Sequence, residues 1–242
     1  MRIGTWNVEY AANVEKNKAR LGILRSKPAD IWILTETHDD LSLAPSHTAI
    51  HSLQRQTGRT GGRWVTIWSS FPIGDCLHVN DKERTVAALI DTPHGALIVF
   101  GTVLPWHSDR GKHPTGTKVR NWSEHYRVID EQCEEWTALR RDHPGAALCV
   151  AGDLNLNLGG PHFYGTARGR RAISAAMGHN NLVCTTEYGQ IPEECKLAHS
   201  PIDHVLITEG FAANFRAAEA WEGTQPDGTR LSDHSGLVVE LR

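Results

Sequence analysis

The chain has 242 residues, is 40% hydrophobic and 22% charged, and carries a formal net charge of −3. That length permits a substantial core, and the charge balance gives no general polyanion-binding signal, so contact with nucleic acid would have to rest on local basic patches. The five cysteines (Cys76, Cys133, Cys149, Cys184 and Cys195) are scattered with no CxxC pair, which argues against a zinc ribbon and for reduced thiols.

In chain order, a strand is expected over 2–8 and a helix over about 14–26, stopped before Pro28. A strand over 30–36 follows, then a long loop over 52–63 containing "LQRQTGRTGGR", then a strand over 64–69. Two apolar runs, 84–91 and 96–104, flank the turn-like "DTPHGA" and read as a hairpin. A second long loop, 105–121, leads to Trp122, Tyr126, Ile129, Cys133 and Trp136, which recur at spacings of four and three on one helix face. "HPG" at 143–145 ends that helix. A strand over 146–154, a helix over about 168–178 and strands over 202–208 and 236–241 complete the chain. No repeat or low-complexity linker divides it, so one domain over 1–242 is expected. Helices are interspersed irregularly among the strands, which predicts sheets covered by helices and not a regular βαβ alternation. No apolar run approaches about 18 residues and the first segment is strand-like; a cytoplasmic protein with no secretory signal and no membrane contact is expected.

Five of the strands end or begin in acids, amides or imidazoles. "VAGDLNLNL" passes from an apolar run to Asp153, Asn155 and Asn157. In an extended chain these would share one face at spacings of about 6–7 Å, with Leu154, Leu156 and Leu158 on the other. Asp and Asn after Gly also form local turns, so this stretch alone is ambiguous. "GTWNVEY" offers Asn7 and Glu9, "DIWILTETH" Glu36 and His38, "SPIDHVLIT" Asp203 and His204, and "LSDHSGLVVEL" Asp233 and His234. One acid at a strand end is ordinarily just solvated; five such ends on one rim would build a site.

Oxygen donors without thiolates suit a hard cation, Mg²⁺ or alternatively Mn²⁺, which binds through one or two carboxylates plus phosphate oxygens. Such an ion polarises a phosphoryl oxygen and stabilises a leaving oxygen. An imidazole beside a carboxylate suits proton transfer or phosphate contact. Metal-assisted hydrolysis of a phosphate ester is the chemistry these residue types favour.

The ordered set "TWNVEY", "ILTETH", "VAGDLNLNL", "SPIDHVLIT" and "LSDHSGLVVEL" resembles the endonuclease/exonuclease/phosphatase superfamily, the deoxyribonuclease-I-like fold, from first strand to last. The resemblance implies a four-layer α/β/β/α sandwich, two mainly antiparallel sheets flanked by helices, with the site on one rim. It implies that Asp153 and Asn155 position the attacking water and contact the phosphate, and that Glu36 is the principal metal carboxylate with Asn7 beside it. Glu9 and Asp233 resemble further metal-side groups. His234 resembles the imidazole that contacts the phosphate or acts as general base, and Asp203 the carboxylate that orients it.

One position departs from the family: where its members carry a His or Tyr near the end of the strand matching "VFGTVLPWH", this chain has Val103. His107, just beyond, is the candidate to supply that group; the alternatives are that the group is dispensable for this substrate or that the protein is weakened as a catalyst. For substrate, "TARGRRA" could lay Arg168, Arg170 and Arg171 along a phosphate backbone. Arg59, Arg63, Lys112 and Lys118 in the two loops could add to them, with Trp106 and Trp122 available for base stacking. A small phosphorylated metabolite would suit the same loops. A nuclease on DNA or RNA is therefore the leading expectation. The alternatives are a phosphomonoesterase on a small or lipid substrate and a catalytically silent phosphate-binding module.

Overall fold

The structure, a computed structural model, describes residues 1–242 apart from 57, 58, 112, 114–116 and 196. The first sheet is built from β1 (Arg2–Asn7), β2 (Ile31–His38), β3 (Thr48–His51), β4 (Gly62–Ser69), and two late strands, β11 (Phe215–Trp221) and β12 (Gly236–Leu241). Their order is β11-β12-β1-β2-β4-β3. The second sheet holds β5 (Ile73–Leu77), β6 (Thr85–Thr92), β7 (Gly95–Val103), β8 (Ala147–Asp153), β9 (Leu182–Cys184) and β10 (Asp203–Thr208), ordered β5-β6-β7-β8-β10-β9. Among the described residues four α-helices accompany them: α1 (Val14–Ser26), α2 (Ser123–Asp142), α3 (Ala167–His179) and the one-turn α4 (Glu209–Ala212).

Strand alternation explains how these elements stack. In β1 and β2, Ile3, Ile31 and Ile33 face the second sheet, where they meet Val99, Cys149, Ala151 and Val205 in a shared core. Their neighbours Trp6, Trp32 and Leu34 face the other way and pack with Leu24 of α1. Likewise Ile98, Phe100, Leu148 and Val150 leave the shared core to pack with Val128, Ile129 and Trp136 of α2 and Ile173 of α3. Strands apolar on both faces give the continuous runs seen in the sequence. The result is the expected four-layer α/β/β/α sandwich. No described helix is long and apolar enough to cross a membrane, and all five cysteines are free.

The register decides where the site lies. Each sheet has one parallel pair among antiparallel ones, β1 with β2 and β7 with β8, joined by α1 and α2. Parallel pairing sets Asn7 opposite Thr35, next to Glu36, and sets Val103 opposite Asp153. Antiparallel β10 begins where β8 ends, pairing Asp203 with Asp153. Antiparallel β12 brings the segment before Gly236 to the same end of β1. All five polar strand ends therefore reach one rim.

Candidate active site

Asn7 is the hub of that rim. Its amide Nδ2 donates to Glu36 Oε1 at 3.2 Å and to Asp153 Oδ2 at 3.1 Å, joining the two sheets. Those two bonds use both amide hydrogens, so His234 Nε2, 3.4 Å from the same nitrogen, is a close neighbour only. The Asn7 carbonyl accepts from Ser232 Oγ at 2.6 Å, and Ser232 Oγ accepts from the His234 amide at 3.0 Å, which ties the last loop to β1.

Asp153 follows Gly152, whose φ of 136° only glycine adopts with ease; a Cβ there would lie 2.0 Å from the Thr102 carbonyl oxygen. Asp153 Oδ1 accepts from the Asn155 amide at 2.8 Å, and Oδ2 accepts from Asn155 Nδ2 at 3.1 Å. Asn155 also donates to the Leu104 carbonyl at 2.9 Å and has φ 50°. The left-handed turn breaks the two-residue alternation expected across 153–157. Asn157 consequently points away from Asp153: it donates to Gly159 and Pro161 and accepts from Phe163 and Tyr164 amides, bracing the following loop. The leucines keep their expected side, with Leu154, Leu156 and Leu158 all buried against the α2–α3 layer.

Asp203 Oδ2 and His234 Nδ1 share a 2.6 Å hydrogen bond, which leaves Nε2 facing Asp153 at 3.9 Å. Trp6 Nε1 donates to the His234 carbonyl at 3.1 Å and fixes the backbone behind the ring. Burial opposes charge on His234, but Asp203 and Asp153 outweigh it and hold the imidazole well above its ordinary value, as imidazolium. Burial pushes Asp153 up from the carboxylate range, His234 draws it back, and Asp203 and Glu36 add repulsion. Burial likewise raises Glu36, partly countered by Asn7, His234 and Arg55.

Glu9 sits apart. Its carboxylate accepts from Arg230 Nη2 at 2.7 Å, and the same nitrogen lies 3.4 Å from Asp233 Oδ2. Asp233 is half-exposed at the mouth, 4.0 Å from His234 Nε2. His204, paired with Asp203 in the sequence, turns into the core toward Leu156, Thr186 and Cys184. His38 is held by the Thr60 carbonyl and the Asp40 amide.

His107 is exposed, and its Nδ1 shares a 3.1 Å hydrogen bond with the Tyr164 hydroxyl, which the His107 amide also reaches at 3.4 Å. Burial raises the Tyr164 hydroxyl, the His107 amide lowers it, and the Asp153 charge raises it again, so this hydroxyl stands within the field of the site. Trp106 is not a free stacking platform: its ring packs against Trp64 and lies under Arg84. Arg168 lies over Tyr126, Arg170 is half-buried with Nη1 unpartnered, and Arg171 is exposed. Arg63 is taken up by Asp39 and the Ser52 carbonyl. Lys118 is exposed, and Lys112 lies outside the described residues.

Three contributors escaped the sequence reading: Trp6, Tyr164 and Arg55. The last has its guanidinium between the rings of Tyr10 and Trp64, at 4.4 and 3.7 Å. Only the arginine-spaced loop hinted at it.

A rim of hydrogen-bonded carboxylates and amides with an aspartate-held imidazole, on a two-sheet sandwich, is the layout of a phosphoester hydrolase. The chain belongs to the Endonuclease/Exonuclease/phosphatase family, whose model matches residues 4–234. Among solved structures it is similar to a 3′-5′ exonuclease (NExo) from Neisseria meningitidis, at TM-score 0.69 and 17% identity, covering 100% of this chain and 99% of that one. It is similar to an AP endonuclease from Archaeoglobus fulgidus at TM-score 0.68 and 17% identity, covering 100% and 99%. An endonuclease/exonuclease/phosphatase from Beutenbergia cavernae gives 0.67 and 18%, covering 100% and 71%. No curated protein matches.

Proposed function

We propose that this chain is a divalent-metal-dependent phosphodiesterase acting on nucleic acid. The observation that carries the reading is the continuous link Glu36–Asn7–Asp153 beside the Asp203–His234 pair. A hard cation suits the donor set: Glu36 and Asp153 are both pushed toward protonation by burial, and Asp203 Oδ1 is buried without a partner. Oxygen atoms short of positive charge favour Mg²⁺ or Mn²⁺. Glu36, with Asn7 beside it and Asp233 at the mouth, would hold the ion, which when bound supplies charge to a phosphoryl and a leaving oxygen. Glu9 would join only by leaving Arg230. Asp153, Asp203 and His234 bring ligand atoms within 4.8 Å of one another, but a cation there would require neutral His234, so as imidazolium this group serves a phosphate oxygen instead.

The protein's own groups divide the remaining work. Asp203 keeps a proton on Nδ1 of His234, so the imidazolium presents Nε2–H to a phosphate oxygen. Asp153, oriented by Asn7 and Asn155, is the acceptor for a proton from the attacking water. Tyr164, braced by His107 and within the field of Asp153, would serve as a further donor to the phosphate or leaving group. Arg168, over Tyr126, and Arg171 are exposed near the start of α3 and would follow a phosphate backbone.

Nucleic acid as substrate draws support from two similar structures: one is of a 3′ phosphatase, NExo from Neisseria, bound to a product DNA hairpin, the other of an AP endonuclease. The first of these also favours a second reading, removal of a terminal phosphate. The test is turnover with and without Mg²⁺ on plasmid DNA, single-stranded DNA, RNA, a 3′-phosphorylated hairpin and a chromogenic diester. Metal-dependent cleavage of a polynucleotide supports the first reading, and release of inorganic phosphate alone the second. No turnover on any of them leaves a silent phosphate-binding module.

A further inference from the structure

A cavity of about 470 Å³ is bordered by the Glu9–Tyr10 turn, Thr37, Arg55 and Arg59. Glu9 and Tyr10 are consecutive left-handed residues, with φ of 48° and 56°, conformations that non-glycine residues adopt at a cost. That turn holds Tyr10 outward, 51% exposed, where a tyrosine ordinarily packs. One face of its ring takes the Arg55 guanidinium, whose other face lies on buried Trp64. Arg55 Nε and Nη1 are buried and have no hydrogen-bond partner among the described residues. Leaving such donors unpaired is unfavourable unless something else supplies an acceptor. Lys16 and Arg59 border the same cavity.

An exposed ring, a clamped guanidinium with spare donors and two further cations select a flat aromatic group carrying an anion. We propose that this cavity is a nucleotide subsite, in which one nucleobase stacks on Tyr10 while Arg55 and Arg59 take its attached phosphate. The inference rests on the phosphodiesterase reading and deepens it. It adds a base-stacking position on the side of the rim where Glu9 bonds Asn7 and Arg55 faces Glu36, and it favours nucleotide esters over base-free phosphodiesters.

The test compares kcat/KM in Mg²⁺ for the p-nitrophenyl ester of thymidine 5′-monophosphate and for bis-p-nitrophenyl phosphate, which has no base. In the intact chain the ratio should favour the nucleotide ester. Tyr10→Ala should lower that ratio by about tenfold to a hundredfold, the range of one lost base–aromatic stack, and Tyr10→Phe should restore it. A ratio unchanged in Tyr10→Ala overturns the subsite. A second arm needs no turnover: calorimetric titration of thymidine 5′-monophosphate against inorganic phosphate. The nucleotide should bind more tightly to the intact chain and lose that advantage in Tyr10→Ala; equal binding of both ligands to the intact chain overturns the proposal. Absence of hydrolysis of either ester would sink the phosphodiesterase reading, with the binding arm still deciding the subsite.

Discussion

Two hydrogens on one amide nitrogen, that of Asn7, connect a carboxylate of each sheet, so neighbouring substitutions should not act independently. The sharpest case is Asp203 with His234. Removing either partner of a 2.6 Å pair removes the oriented imidazolium, so Asp203→Asn and His234→Ala should each cost about the same in kcat, and the double variant little more. Losses that multiply in the double variant would show two independent roles. Glu36→Gln keeps the bond from Asn7 but removes the charge, so turnover should fall about a hundredfold or more, with the magnesium requirement rising in the same titration. Wild-type metal dependence in that variant would take Glu36 out of the metal site. The acids at the ends of apolar runs were legible in the sequence because charge there is conspicuous. Asn157 was misread since nothing in the letters announces that Gly152 and Asn155 both turn left-handed. The bond from Trp6 to His234 spans 228 residues and has no local signature at all.

Among elements, burial decides what a sequence discloses. The strands read from apolar runs are the interior strands of both sheets; the ones missed, β3, β5, β9 and β11, are the four edges. An edge strand has a neighbour on one side only, and here β3 exposes both its ends, β5 its three middle residues and β11 Arg216 and Ala217, so none shows a sustained apolar run. Helix α1 shows how tightly an interior contact can be set. A Cβ on Gly4 would come within 2.3 Å of the Trp32 ring, itself buried beneath α1. Gly4→Ala should therefore destabilise by about 1–3 kcal/mol through overpacking, lowering Tm by about 2–4 °C per kcal/mol. Gly22, within α1, has nothing near its missing Cβ, so Gly22→Ala should raise stability by about 0.5–1 kcal/mol. Equal and opposite Tm shifts are not required; a destabilised Gly22→Ala would show that α1 is more closely covered than the structure has it.

For the molecule as a whole, acid sensitivity follows from a histidine outside the chemistry. Burial pushes His204 down to about 4, against the Leu156 carbonyl and Asp203, which favour its charge. A histidine depressed from about 6.5 in the unfolded chain leaves stability intact above that value. The His204 contribution is then lost as pH falls from about 6.5 toward 4, by up to about 3 kcal/mol. The raised Asp153 and Glu36 carboxyls act in the opposite sense over this range, so the test is a difference: between pH 7 and 4 urea midpoints should fall more in the intact chain than in His204→Asn, and parallel slopes would remove His204 from the acid response. The sandwich also divides its machinery. One sheet and its last loop carry Asn7, Glu36 and His234, the other Asp153, Asn155 and Asp203, and the bonds Asn7–Asp153 and His234–Asp203 cross the seam. Catalytic competence is thus a gauge of how two slabs are aligned. A misplacement of about 1 Å can cost about a hundredfold in rate, so conservative trimming of Ile33 or Val99, deep between the sheets and remote from any reacting group, should slow the enzyme before it melts it.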